Sequence, residues 1–265
     1  MCAEARTDLY QTHTLIQLYL AGLQILLDPS DAPSFARLRH LLEESGQQIP
    51  EAEQRNLYFL LLNVCIKRLN QGEAEAGTAI FEIYGSLLSR ELLLENGYLA
   101  PGHFKNVVAI GVRLREFERT ERFIESYHLQ LPPAEHESVY AYNQAYLAFS
   151  RGEYRQVLRL LRRSEWNDLY YQLDARVLLI KTYYEMGDFE GLEYDINSLR
   201  TFLRRNRRIS AYQQRLFQHL VRAMQLFLRF YAGQERAEHL IQFLESHPDT
   251  AGLAWLKQKA QEIQT

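Results

Sequence analysis

Apolar residues recur through most of the chain at three- and four-residue spacing, which predicts helices. No strand-like alternation of useful length breaks that pattern. Leu15, Ile16, Leu18, Tyr19, Leu23, Ile25 and Leu26 lie along one broad side of a helix expected over 9–27. Asp28-Pro29-Ser30-Asp31 breaks it, and Phe35, Leu38, Leu41 and Leu42 carry a second helix that Gly46 stops. Pro50 sits just inside the next start. A strongly apolar stretch over 57–69 turns at Asn70-Gln71-Gly72 into a long partner helix over 74–94. Asn96-Gly97 and Pro101-Gly102 mark a longer loop.

Beyond residue 103 the pattern tightens into predicted helix pairs over 104–114 and 117–127, 140–149 and 154–161, and 169–185 and 189–203. Pro132-Pro133 is expected in the first helical turn of the middle pair. Ser210 caps a helix to Tyr231, with Gln213 three residues on as in a capping box. Helices over 237–244 and 253–263 complete the chain. Three turns superpose: Arg115-Glu116-Phe117, Gly152-Glu153-Tyr154 and Gly187-Asp188-Phe189. In each, an acid stands at the positive end of a helix dipole, and an aromatic ring is expected to fill the corner between the two helices. Repetition at this interval is the mark of stacked helix hairpins, because a hairpin with two apolar sides must bury both against neighbours.

The segment Tyr142-Asn143-Gln144-Ala145-Tyr146, followed by Gly152-Glu153-Tyr154, resembles a tetratricopeptide repeat. Asn143, Ala145, Gly152 and Tyr154 fall where that motif has its asparagine, small residue, glycine and tyrosine. The chain departs from the motif at Thr120, Val157 and Leu192, which stand for alanine, and at Arg115, which stands for the turn glycine. The match covers residues 103–203, with 1–100 and 206–265 fitting as generic flanking helix pairs. Two longer segments, 94–108 and 170–192, also resemble a bacterial helical-repeat family with no assigned activity. Its members are longer, which implies that this chain corresponds to a C-terminal half.

The resemblance implies an all-α fold: a right-handed superhelical stack of about six antiparallel hairpins forming one α-solenoid domain over 1–265. It also implies a concave groove, lined by the first helix of each hairpin, that binds a peptide or protein. Carried across residue by residue, the groove positions are Lys105 and Arg113 in one unit, Tyr142, Asn143, Tyr146 and Phe149 in the next, and Asp174, Val177, Lys181 and Tyr184 in the third. Asn143 would hydrogen-bond a peptide backbone and the cations would meet carboxylates. The same spacing also suits core aromatics, and Asp174 and Lys181, seven apart, also suit a solvated face.

Charge and chemistry narrow the reading further. The net charge of −3 argues against a globally basic nucleic-acid binder. Arg204-Arg205-Asn206-Arg207-Arg208 is the densest charge run. It is expected to offset a helix C-terminus; nucleic-acid association through it is the alternative function. The eight histidines lack zinc-site spacing, and no catalytic motif, nucleotide loop or cofactor pattern is present. The expectation is therefore a non-enzymatic protein-interaction scaffold with no metal and no cofactor. Cys65, among Leu61, Leu62, Val64 and Ile66, reads as a buried thiol. Absence of a leader pattern and of a membrane-length apolar run is read as a cytoplasmic location. The last helix is expected to cap the stack with Trp255 and Leu256 turned inward, or to pair with a second copy.

Overall fold

The computed structural model of the chain describes residues 13–164, 166 and 168–263. Thirteen α-helices run through the described residues, and they form two compact units that meet within one helix, between Asn143 and Gln144. The expected single solenoid covered both units, and each is compact by itself.

The first unit contains α1 (Thr14–Leu27), α2 (Ala32–Ser45), α3 (Glu51–Asn70), α4 (Glu75–Ser89), α5 (Pro101–Arg113) and α6 (Phe117–Tyr127), each packed on the next. α1 also meets α3. Leu18, Leu38, Leu42, Tyr58, Leu61, Leu87, Phe104 and Val108 are fully covered. Arginines tie the loops to this core. Arg68 Nη2 donates to the Pro29 carbonyl at 2.7 Å and its guanidinium lies over the Phe35 ring, and Arg90 Nη2 donates to the Glu43 carbonyl at 2.8 Å. The first bond satisfies a loop carbonyl and the second a carbonyl in the last turn of α2, groups that would otherwise cost free energy. At the α5–α6 crossing, a Cβ on Gly111 would come within 2.1 Å of the Thr120 hydroxyl. Thr120, larger than the alanine of the motif, is accommodated because glycine faces it.

α7 (His136–Ser150) leads into the second unit, which contains α8 (Tyr154–Arg163), α9 (Leu169–Met186), α10 (Phe189–Arg205), α11 (Ala211–Tyr231), α12 (Ala237–Ser246) and α13 (Leu253–Glu262). From α8 onward each helix packs on its successor. The core here is Leu173, Ile180, Leu192, Ile196, Leu199, Leu220, Met224, Phe227 and Leu240. α13 is held by α9: Glu185 accepts from Trp255 Nε1 at 2.8 Å and pairs with Lys259 at 3.0 Å, while Leu256 is buried. The loop before α13 is tied to α11. Arg215 Nε and His219 Nδ1 stand 2.9 and 3.1 Å from the Asp249 carboxylate, and the Ala251 N–H donates to the Leu216 carbonyl.

One backbone device ends α3, α5, α7, α9 and α11, the first helix of five pairs. The chain passes through a left-handed residue, namely Gly72, Arg115, Gly152, Gly187 or Gly233. The next N–H, of Glu73, Glu116, Glu153, Asp188 or Gln234, then reaches back five residues to a helix carbonyl at 2.9–3.1 Å. This is the glycine-type helix stop, which satisfies carbonyls that the helix itself leaves open. Of the five, only Arg115 adopts the conformation with a Cβ. Asp188, in the fourth of these turns, and Ser210, ahead of α11, also cap the following helix, each accepting a backbone N–H three residues on.

Some boundaries differ from the sequence reading. The long helix expected to reach Leu94 stops at Ser89, where Glu91 takes the left-handed conformation. Leu94–Glu95 and Tyr98–Leu99 then form a two-residue antiparallel hairpin. Its turn is Asn96-Gly97, both with positive φ, as the tightest hairpin turn requires. The run Leu92-Leu93-Leu94 looks like continuing helix because its apolar residues are consecutive, yet Leu92 and Leu93 are buried beyond the helix end. Pro101 starts α5 rather than lying in a loop, while Pro132-Pro133 stays in the turn ahead of α7. The Tyr154 ring meets that of Phe149 at a tilt across its own corner, as expected, with centroids 5.6 Å apart. Phe189 instead lies on Tyr231 of α11 at 4.8 Å.

Two stability measurements follow from these interactions. Gly152→Ala and Gly187→Ala, whose added Cβ would meet nothing within 4 Å, should each lose about 1–2 kcal/mol to backbone strain in urea denaturation, while Arg115→Gly should gain up to about 1 kcal/mol. Burial opposes the Asp249 carboxylate, but His219 and Arg215 outweigh it and hold its pKa below the ordinary value. A depressed carboxylate stabilises above its unfolded pKa and loses that contribution as pH falls through the folded one. Asp249→Asn should therefore lower the urea midpoint at pH 7, with the gap to the unmodified chain closing as pH falls below about 3.9.

Candidate functional site

The groove residues expected from the repeat motif are mostly occupied with packing. In the first unit, Arg113 is exposed, and Lys105 is half-buried with its ammonium 5.4 Å from the centre of the Tyr142 ring. Tyr142 is buried. Asn143 is 0% exposed, and its amide donates to the Val139 carbonyl one turn back at 2.7 Å. That amide is turned onto its own helix, so it presents no surface to a ligand. The expectation of an accessible Tyr142 and Asn143 is corrected accordingly.

In the second unit, Tyr146, Phe149, Asp174, Val177, Lys181 and Tyr184 are all half-buried. Burial pushes the Tyr146 hydroxyl pKa up. Burial pulls the Lys181 ammonium down, against the pull of Asp174 and Glu185, and Lys181 sits 5.4 Å from the Trp255 ring centre. The Tyr184 hydroxyl bonds that of Tyr231 at 3.0 Å, and its ring meets Phe227 and Trp255 edge to face. Lys181 and Tyr184 thus belong to the packing that docks α13. Of the adjacent tyrosines, Tyr170 is exposed and Tyr171 buried, whereas Tyr183 is buried and Tyr184 half-buried against α11 and α13, so only the first pair has a member facing outwards.

Other titratable groups are also absorbed by the fold. Cys65 is buried and burial pushes its thiol to about 11, so it is no nucleophile at neutral pH. Cys2 lies outside the described residues. His128 and His136, eight residues apart, are brought to 3.2 Å between ring nitrogens and stack with Tyr140. Sequence spacing hid this pair because a turn lies between its members. Among the described residues no three His, Cys, Asp or Glu side chains are grouped to hold a metal ion, and no helix is long and apolar enough to cross a membrane.

The C-terminal half of α10 borders two clefts open to solvent. A cleft of about 880 Å³ runs along one side, walled by Tyr194, Asn197, Ser198, Thr201 and Arg205 from the helix and by Asn206, Arg207 and Arg208 beyond it. Arg176 of α9 and Phe202 complete it. The Arg176 guanidinium lies 4.4 Å from the Phe202 ring centre and Nη1 donates to the Ser198 hydroxyl at 2.9 Å. Burial lowers the Arg176 pKa, with Asp195 opposing. A second cleft of about 560 Å³ runs along the other side, between Arg200, Thr201 and Arg204 of α10 and Gln214, Gln218, Arg222 and Gln225 of α11. Thr201 is the wall common to both.

Local sequence explains this surface. Residues 196–234 contain eight arginines and no Asp, Glu or Lys, in a chain whose net charge is −3. The run 204–208 was visible in the sequence, but the length of the acid-free stretch was the stronger signal. Leu199, Leu203 and Ile209 are buried, so the arginines between them face outward. An Asx turn, with the Arg208 N–H bonded to the Asn206 carboxamide at 3.0 Å, fixes the short loop that presents Arg207 and Arg208. Among the described residues Arg200, Arg204, Arg205, Arg207, Arg208 and Arg222 form no ion pair. The guanidinium fork matches carboxylate and phosphate oxygens in geometry.

The α9–α13 packing and the α10 clefts are separable by mutation. Trp255→Ala should cost about 2–3 kcal/mol of stability through the packing and the Glu185 bond that it removes, read as a lower melting temperature. At a temperature where the variant is folded, its affinity for an anionic ligand should be unchanged.

Comparison with protein-family models, with curated proteins and with solved structures finds no match to this chain.

Proposed function

We propose that this protein is a tetratricopeptide-like helical-repeat binding module that recruits an acidic macromolecular partner through the arginine-lined clefts flanking α10. The observation that carries this reading is the set of arginines, without ion-pair partners among the described residues, on both sides of one helix: Arg205, Arg207 and Arg208 on one, and Arg200, Arg204 and Arg222 on the other. The repeated helix stop of five hairpins supports the repeat assignment. Its spacing of left-handed residues, 115, 152 and 187, follows the part of the chain that resembles the motif.

Binding rather than bond-making suits these side chains. Arginine stays protonated in proteins and cannot exchange protons as a general acid or base. The amides and hydroxyls beside it offer hydrogen bonds without charge. A peptide partner in the manner of the repeat motif would therefore be an acidic one. It would lie along α10 and α11 rather than on the buried Tyr142 and Asn143. Concentrated positive charge in a chain of net negative charge also speeds encounter with an acidic partner and makes that encounter salt-dependent.

The test is retention on an immobilised polyanion. The unmodified chain should bind at low ionic strength, and Arg205→Glu combined with Arg208→Glu should weaken binding at least about tenfold while leaving the thermal melt unchanged, since both side chains are exposed. Equal retention of the two proteins would show that the clefts are not the binding surface.

A further inference from the structure

The two clefts differ in a way that selects among acidic partners. An acidic peptide needs cations and little else. The first cleft also carries an aromatic ring standing free at its edge: Tyr194 is 71% exposed. At the start of α11, Tyr212 is 58% exposed with the Arg215 guanidinium 5.8 Å from its ring centre. Exposed rings of this size, left uncovered beside cations, are platforms on which a flat heterocycle can stack. A glutamate or aspartate side chain has no such face to offer.

The charge itself points the same way. All eight cations of residues 196–234 are arginines. Arginine binds phosphate through two parallel hydrogen bonds and stacks on rings as well. Arg200 and Arg204 stand four residues apart on α10 beside the second cleft, and along a helix that interval rises about 6 Å. This is a step comparable to that between phosphates of an extended strand. Between the cations, Asn197, Thr201 and Gln218 present amides and a hydroxyl, which suit sugar hydroxyls and phosphate oxygens without regard to sequence. The acids that bound this stretch are Asp195 and Glu235, and neither pairs with the exposed arginines among the described residues. Asp195 is half-buried and interacts with Arg162 and Arg176, and Glu235 pairs with His239 at 2.6 Å. Neither cancels the exposed arginines.

We propose that the clefts flanking α10 bind single-stranded nucleic acid: Arg200, Arg204, Arg205, Arg207 and Arg208 hold the phosphates, and a base stacks on Tyr194. This rests on the reading of the clefts as the site of an acidic partner and names that partner's chemistry. Recognition is independent of base sequence, because arginines, amides and rings meet backbone and base faces rather than base edges.

Fluorescence anisotropy of the full chain with labelled oligo-uridylate, oligo-thymidylate, a hairpin duplex and a glutamate homopeptide of matched charge tests this. Either single strand should bind more tightly than the duplex and the peptide. Affinity should fall steeply with salt, and replacing Arg204, Arg205, Arg207 and Arg208 by Gln should flatten the logarithmic salt slope by about 0.7 for each phosphate no longer held. Tyr194→Ala should weaken single-strand binding about 5- to 100-fold with the salt slope unchanged, and Tyr194→Phe should retain it. All five side chains are exposed, so a circular-dichroism melt will show the variants folded. If the homopeptide binds as well as the single strands and Tyr194→Ala changes nothing, the nucleic-acid assignment is overturned while the acidic-partner reading stands. If the duplex equals the single strands, the assignment also fails. If no anion binds even at low ionic strength, both readings fall.

Discussion

The hairpins of this protein depend on how their first helices stop. A helix leaves its last carbonyls without partners, and a chain that is to reverse direction within a few residues must satisfy them while turning. One left-handed residue does both. It swings the next N–H back onto a carbonyl of the final turn and aims the chain at the following helix. The residue after it is Glu, Glu, Glu, Asp or Gln, so in four cases an acid stands where the second helix presents its N-terminal dipole. Side chains in the core then decide how closely the pair meets. At Gly111 and Thr120 the approach is close enough that no larger residue fits opposite the threonine.

Within the second unit, charge is sorted by whether it can be paired. Glu185 draws Trp255 and Lys259 together where α13 covers α9, and each member of that group has a partner. Lys181 shares the same region and bears the cost of burial as a lowered pKa. α10 and α11 do the opposite. Apart from Arg215, which pairs with Asp249, their outward arginines form no ion pair among the described residues, and their apolar residues are committed to the core. Leaving like charges together on a surface destabilises the isolated protein through mutual repulsion. An anionic partner would remove that cost on binding, which is the physical reason for the proposal that the clefts are recognition surface and the Trp255 cluster structure.

Tyr184 shows how far a motif can mislead when the next element is ignored. Its helical position is that of a groove residue in the repeat family. In this chain α13 folds onto that position, and Tyr231 takes the hydroxyl. Asn143 differs again: its amide serves its own helix, one turn back. Each outcome depends on the nearest partner that the fold supplies, a neighbouring helix for Tyr184 and a backbone carbonyl for Asn143.

Periodicity along the chain was sufficient for the helices and for the three best turns, because apolar spacing and left-handed glycines are local properties. The end of α4 and the start of α5 were not legible, since Leu92-Leu93-Leu94 continues a helical pattern and only the Asn96-Gly97 turn redirects it. The arginine run 204–208 was legible as charge. Its reach was not, because Arg176 and Arg222 join it from neighbouring helices, 28 and 18 residues from Arg204 in the chain. Likewise the sequence names its aromatic rings without saying which are covered. Packing buried Tyr142 and Tyr183 and left Tyr194 and Tyr212 free, for exposure depends on contacts between residues far apart in the chain, and spacing alone carries no record of them.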